Sequence, residues 1–253
     1  MIEVRNLCKS YEDDPALDNV TFSVQDGEVI GLLGPNGAGK TTVFNLLTKF
    51  LTPTRGEILY RGKNITSMKA NEIARLGLVR SFQISAVFGH MSVLENVRVA
   101  LQQKMGNSFH FWKSERSLRE LDDQVMQLLA EVDLQSFAQT LAVELPYGRK
   151  RALELATTLA LDPFVLLLDE PTQGMGSEDV DMVVELVRKA AANRTVLMVE
   201  HNLSVVSRLC DRITVLARGS VLAEGDYESV SANPQVREAY LGSEAAALEE
   251  AHA

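Results

Sequence analysis

Residues 34–42 run Gly34, Pro35, Asn36, Gly37, Ala38, Gly39, Lys40, Thr41, Thr42, a set of residue types suited to holding phosphate. The three glycines permit positive φ and close backbone approach, so amide N–H groups can turn inward as an anion nest. Lys40 supplies a cation for the β- and γ-phosphates of a nucleotide, and the Thr41 hydroxyl a ligand for Mg²⁺. At average usage of ~7% glycine, the fixed positions of this pattern arise by accident on the order of once in a hundred chains of this length. A second set of groups lies in 165–170, where four apolar residues run into Asp169 and Glu170. Paired carboxylates at the end of a buried strand call for a metal and a water. Val196–Val199 repeats the pattern and ends at Glu200-His201, which brings an imidazole to the same edge.

These groups need elements to hold them. Val29–Leu33 reads as a buried strand and Val43–Leu47 as the start of an amphipathic helix, so the glycine loop leaves a strand and feeds a helix N-terminus. Residues 2–8 and 20–24 alternate as half-buried strands, Gly27 turns, and 57–60 is a further strand. Residues 70–76 read as helix and 77–82 as a strand ending at Gln83. From about 86 to 147 the character becomes helical, with 95–103 and 115–132 as helices; Phe109, Phe111 and Trp112 between them cover core or form a docking surface. Leu145-Pro146-Tyr147-Gly148-Arg149-Lys150-Arg151 opens a long helix through Leu161, with Pro146 suited to a first helical position, and 213–217 and 221–224 close as a hairpin.

Composition narrows the function classes. The chain has 253 residues, 46% hydrophobic and 23% charged, enough for a substantial core. A net charge of -9 argues against nucleic acid as a partner, because phosphate-backbone binding requires Lys and Arg to replace counterions. Cys8 and Cys210 are isolated, which fits a reducing compartment. No apolar run approaches membrane-spanning length, and Glu3 and Arg5 do not open a signal sequence, so a chain without its own membrane span is expected.

In order and spacing, these residues resemble an ATP-binding cassette (ABC) ATPase over nearly all of residues 1–242. The resemblance implies an α/β fold: a P-loop NTPase (RecA-like) core with an N-terminal antiparallel β layer and a helical subdomain insertion. Residues 1–85 and 148–242 would form the core with its β layer, 86–147 the helical subdomain, and 243–253 a flexible acidic tail. It also implies roles. Tyr11 would stack on adenine, 34–42 would be the Walker A loop binding ATP, and Leu145, Pro146, Tyr147, Gly148 and Arg149 the signature. Thr41, Gln83 and Asp169 would hold Mg²⁺, Glu170 would be the catalytic base, and His201 would sense the γ-phosphate. Two cassettes, identical or different, would close head to tail and drive integral membrane permease subunits from the cytoplasmic face of the inner membrane. Ser81-Phe82-Gln83, Met91–Val97, Tyr147-Gly148 and Ala239-Tyr240-Leu241-Gly242 are similar to the ATPases of branched-chain amino acid and urea importers, which work with an extracytoplasmic solute-binding protein. Lipopolysaccharide-export ATPases share much of this pattern. The coiled coils or tandem cassette of a soluble repair or translation ATPase are not seen in the sequence. Three positions depart from the family: Pro146 replaces the signature serine, Arg149 its glutamine, and Gly176 a usual aspartate.

Overall fold

The computed structural model describes residues 1–12, 14–81, 87–104 and 121–240. Gln83, the aromatic segment 109–112, the expected helical turns 115–120, Leu241-Gly242 and the tail 243–253 lie outside them.

Strands β1 (Ile2–Tyr11), β2 (Asp14–Val24), β4 (Arg55–Tyr60) and β5 (Lys63–Asn64) form an antiparallel sheet in the order β2-β1-β4-β5. Both leading strands are longer than the 2–8 and 20–24 expected. The pairing shifts register between Val4 and Leu7 and again before Ser10, and such irregularities interrupt the two-residue alternation while the ladder continues.

The second sheet has the order β10-β9-β3-β8-β7-β6. Its strands β3 (Val29–Leu33), β6 (Leu78–Arg80), β7 (Val165–Asp169), β8 (Thr195–Val199) and β9 (Arg212–Ala217) are parallel, and β10 (Ser220–Gly225) pairs antiparallel at one edge. Arg218 and Gly219, with φ 49° and 77°, make the two-residue turn into β10. Strands β3, β7 and β8 are buried at every position, as their unbroken apolar runs require of strands covered on both faces. Alternate residues of β7 enter different cores: Val165 and Leu167 meet the antiparallel layer and helix α1 (Lys40–Leu47), while Leu166 and Leu168 meet the helical side.

On that side lie α3 (Val93–Lys104), α4 (Asp122–Glu131), α5 (Tyr147–Leu159) and α6 (Ser177–Ala191), which contribute Val97, Leu129, Leu153 and Val184 to one core; the short α2 (Ala70–Arg75) lies elsewhere, just before β6. Helix α6 is absent from the sequence reading, although Val183, Val184, Val187 and Ala190 recur at helical spacing. The chain continues through α7 (Leu203–Leu209) and α8 (Tyr227–Ala232). Pro146, expected as the first residue of α5, stands one place earlier as its N-cap. Its extended ψ of 157° turns the chain into the helix, and its carbonyl accepts the first intrahelical bond, from Lys150 N–H at 3.0 Å. Among the described residues no helix is long and apolar enough to cross a membrane.

Candidate active site at the carboxyl ends of the parallel strands

The glycine loop connects β3 to α1 as its composition demands. Gly34, Gly37 and Gly39 have φ of 152°, 76° and 101°, and Gly39 caps α1 in the left-handed region. A side chain at Gly34 would place its Cβ 2.3 Å from the Leu216 carbonyl oxygen; one at Gly39 would come within 2.4 Å of Leu17. The loop is therefore threaded between β9 and the antiparallel layer, and only glycine fits at these two points.

Lys40 is the first residue of α1 and is 8% exposed. Its ammonium donates to the carbonyl oxygens of Gly34 at 2.6 Å and Pro35 at 2.9 Å. Burial pushes the ammonium below the ordinary lysine range, while the carboxylates of Glu170 and Asp169 pull the other way. Lys40, Asp169 and Glu170 thus share one electrostatic environment, although β3 and β7 lie far apart in sequence. A buried ammonium resting on carbonyls, at a helix N-terminus whose N–H groups point outward, fits the phosphates of a nucleotide.

Asp169 ends β7, is 4% exposed, and is ion-paired with Arg80 at the end of β6. Arg80 also donates to Asn45 Oδ1 on α1 at 2.7 Å and lies over the Phe44 ring. Among the described residues no three His, Cys, Asp or Glu side chains form a metal cage. A hydroxyl and one carboxylate with phosphate oxygens and water is nonetheless a donor set that suits Mg²⁺, which is seldom held by an all-protein cage.

Glu170 follows with φ 46°, unusual for a residue other than glycine. Its N–H donates to Val199 O at 2.9 Å, so the chain leaves the sheet abruptly and turns the carboxylate over the strand ends. His201 Nδ1 lies 4.0 Å from Glu170 Oε2, and the imidazole is more than half exposed. Backbone strain and juxtaposed acid and imidazole are features that cluster where chemistry is done.

Tyr11 closes β1 and is 48% exposed, with Lys9 Nζ 5.3 Å from its ring centre. Thr41 lies exposed in the first turn of α1. Segment 145–149 meets the chain that follows β7: the Tyr147 hydroxyl donates to Gln173 O at 3.2 Å, and Gly148 sits so close to Asp179 on α6 that a Cβ would clash at 2.6 Å. Arg149 stacks on Phe137 at 4.1 Å. The structure therefore gathers Lys40, Asp169, Glu170 and His201 at one sheet edge, and joins the signature segment to the chain leaving β7. Sequence reading passed over Arg80 and Asn45. Nothing in their local spacing marks them; only the adjacency of β6, β7 and α1 does.

Against known proteins, the family model described as ABC transporter matches residues 17–173, and that described as branched-chain amino acid ATP-binding cassette transporter matches 220–246. The chain is 38% identical to the high-affinity branched-chain amino acid transport ATP-binding protein BraF of Pseudomonas aeruginosa, covering 96% of this chain and 98% of that protein. It is 35% identical to the lipopolysaccharide export system ATP-binding protein LptB of Acidithiobacillus ferridurans, over 96% of this chain and 97% of the other. Among solved structures, the ADP conformation of MJ1267, an ATP-binding cassette of an ABC transporter, superposes with a TM-score of 0.85 at 28% identity, covering 96% of this chain and 98% of that one.

Proposed function

Since the chain belongs to the ABC transporter family of ATP-binding cassettes, we propose that its ATPase activity powers the import of branched-chain amino acids or closely related small solutes. The observation that carries the reading is the near end-to-end correspondence with BraF, 96% of this chain against 98% of that protein. The match of 220–246 to the branched-chain model supports the same solute class.

In this reading the loop 34–39 and the α1 N-terminus bind the ATP phosphates, Lys40 exchanges its carbonyl partners for β- and γ-oxygens, and Tyr11 stacks on adenine. Thr41, Asp169 and Gln83 would hold Mg²⁺, which when bound offsets charge on the phosphate oxygens during phosphoryl transfer. Glu170 orients a water and takes its proton as the water oxygen bonds to the γ-phosphorus and the bond to ADP breaks. His201 hydrogen-bonds the γ-phosphate, so its place reports whether that group is present. Segment 145–149 caps ATP on a second cassette in a head-to-tail pair, and the pair drives membrane permeases from the cytoplasmic face. Residues 86–147 would be the helical subdomain of this arrangement.

The test is purification of the tagged chain from detergent-solubilised membranes, with mass spectrometry of what accompanies it and uptake of labelled leucine, isoleucine and valine. Recovery with two permeases and ATP-dependent uptake is expected. Recovery without any membrane protein would overturn the transporter reading. Partners that bind lipopolysaccharide would favour the function named for LptB, which the 35% identity to that protein keeps as the second reading.

A further inference from the structure

Glu200 is fully buried at the end of β8 and has no part in the mechanism above. Its carboxylate accepts four hydrogen bonds. Oε1 takes the Thr172 N–H at 3.0 Å and the Thr172 hydroxyl at 2.5 Å; Oε2 takes the N–H groups of His201 at 3.1 Å and Asn202 at 3.3 Å. Among the described residues its ion-pair partner is the His201 imidazole, 4.0 Å away. A charge buried without a permanent cation depends on hydrogen bonds at both oxygens, and the arrangement of these four calls for a reason.

The division of the four bonds supplies one. One oxygen serves the loop leaving β7, and the other serves the loop leaving β8. Thr172 is itself buried and lies two residues beyond Glu170, whose own N–H is tied to Val199 O. The sheet fixes Asp169 opposite Val199 but leaves the chains beyond those positions unpaired by the ladder. We propose that Glu200 is the positioning residue that sets Glu170 and His201 in register with each other, by clamping the two loops that carry them to a single carboxyl group.

Only a carboxylate does this without penalty. It is acceptor-only at both oxygens, whereas a glutamine amide turns one acceptor into a donor that faces at least one backbone N–H whichever way it is flipped, the Thr172 N–H on one side or those of His201 and Asn202 on the other. Glu200→Gln therefore releases one loop while leaving the shape of the residue unchanged. Neither loop belongs to the glycine loop or to Lys40, and ADP lacks the γ-phosphate that His201 would meet, so ADP binding does not depend on the clamp.

The inference rests on the ATPase reading, and the experiment separates the two. ATP hydrolysis, ADP affinity and thermal unfolding are measured on the full chain, alone or in its assembled transporter, for wild type, Glu200→Gln, Thr172→Val and Thr172→Ser. Wild-type hydrolysis checks the reading itself; its absence would sink that reading. With an active wild type, Glu200→Gln is expected to lower kcat at least tenfold with ADP affinity within twofold. Thr172→Val, which removes one of the four bonds, is expected to lower kcat severalfold, and Thr172→Ser, which keeps the hydroxyl, to recover most of it. If Glu200→Gln does not fold, the Thr172 pair carries the test. Unchanged kcat in Thr172→Val, no recovery in Thr172→Ser, or a loss that appears equally in ADP affinity would overturn the positioning role.

Discussion

Arg80 ties β6 to two other elements through one guanidinium: Asp169 at the end of β7, and Asn45 with the Phe44 ring on α1. Its side chain is 11% exposed and that of Asp169 3%, so both charges are largely out of water. Removing one partner of such a pair leaves the other charge buried alone, a change that costs about 3–5 kcal/mol. Arg80→Met should therefore lower the stability of the nucleotide-free chain by about that amount, read as a drop in the denaturant midpoint. In the proposed site a bound Mg²⁺ would also offset the charge of Asp169. Addition of Mg²⁺ with ADP is then expected to raise the unfolding temperature of Arg80→Met by more than it raises that of wild type. Equal Mg²⁺-dependent shifts would mean that Arg80 and the metal do not share the carboxylate.

At the scale of the element, the β3–loop–α1 unit is fixed by two different demands on glycine. Gly34 has φ 152° and a virtual Cβ 2.3 Å from Leu216 O, a backbone atom of β9 that cannot retreat without breaking the ladder. Gly37 has φ 76° but nothing within 4 Å of its virtual Cβ. Alanine at Gly37 meets only the conformational cost of the left-handed region, about 1–2 kcal/mol. At Gly34 it adds overpacking against backbone, roughly 1–3 kcal/mol more. Gly34→Ala should be the less stable of the two and should lose nucleotide affinity, since displacing the loop also displaces the carbonyls that hold Lys40. Denaturant unfolding and an ADP titration on both variants check the order. A Gly37→Ala variant that proved the more damaged would show that the loop is governed by something other than its contact with β9.

For the whole molecule, the two halves of the proposed machinery differ in completeness. Walker A, Glu170 and His201 are intact, whereas α5 begins after Pro146, an N-cap with no side-chain bond and no N–H. In the proposed head-to-tail pair this N-terminus would face the nucleotide of the other cassette. Donors aimed at developing charge are each worth about 3 kcal/mol in the transition state. Where the second cassette is a different chain with a serine in its signature, the site built on this chain's Glu170 has the fuller donor set. Glu170→Gln should then depress hydrolysis by the reconstituted transporter more than the matching change in the partner, with single-site losses of roughly 10²–10⁴ for a missing general base. Both single variants measured in one membrane preparation decide it: equal losses, or a larger loss from the partner's variant, would mean that Pro146 is tolerated.

What could be read from residues alone was whatever is local along the chain. The glycine loop was legible because strand, turn and helix start are contiguous, and the edge carboxylates because Val165–Leu168 runs directly into Asp169 and Glu170. Family resemblance followed from the order of such local segments. The long β1–β2 hairpin was under-read because its register shifts hide the alternation. The clamp at Glu200 and the bridge at Arg80 were not legible at all. Thr172 and Glu200 are 28 residues apart, and Arg80 and Asp169 are 89 apart. Their meeting depends on the lateral order β8-β7-β6 and on its parallel register, with Asp169 opposite Val199 and Arg80 opposite Leu167. Strand order is decided by how buried faces pack between two cores, a free energy summed over the whole sheet, and no spacing in the sequence encodes which strand ends become neighbours.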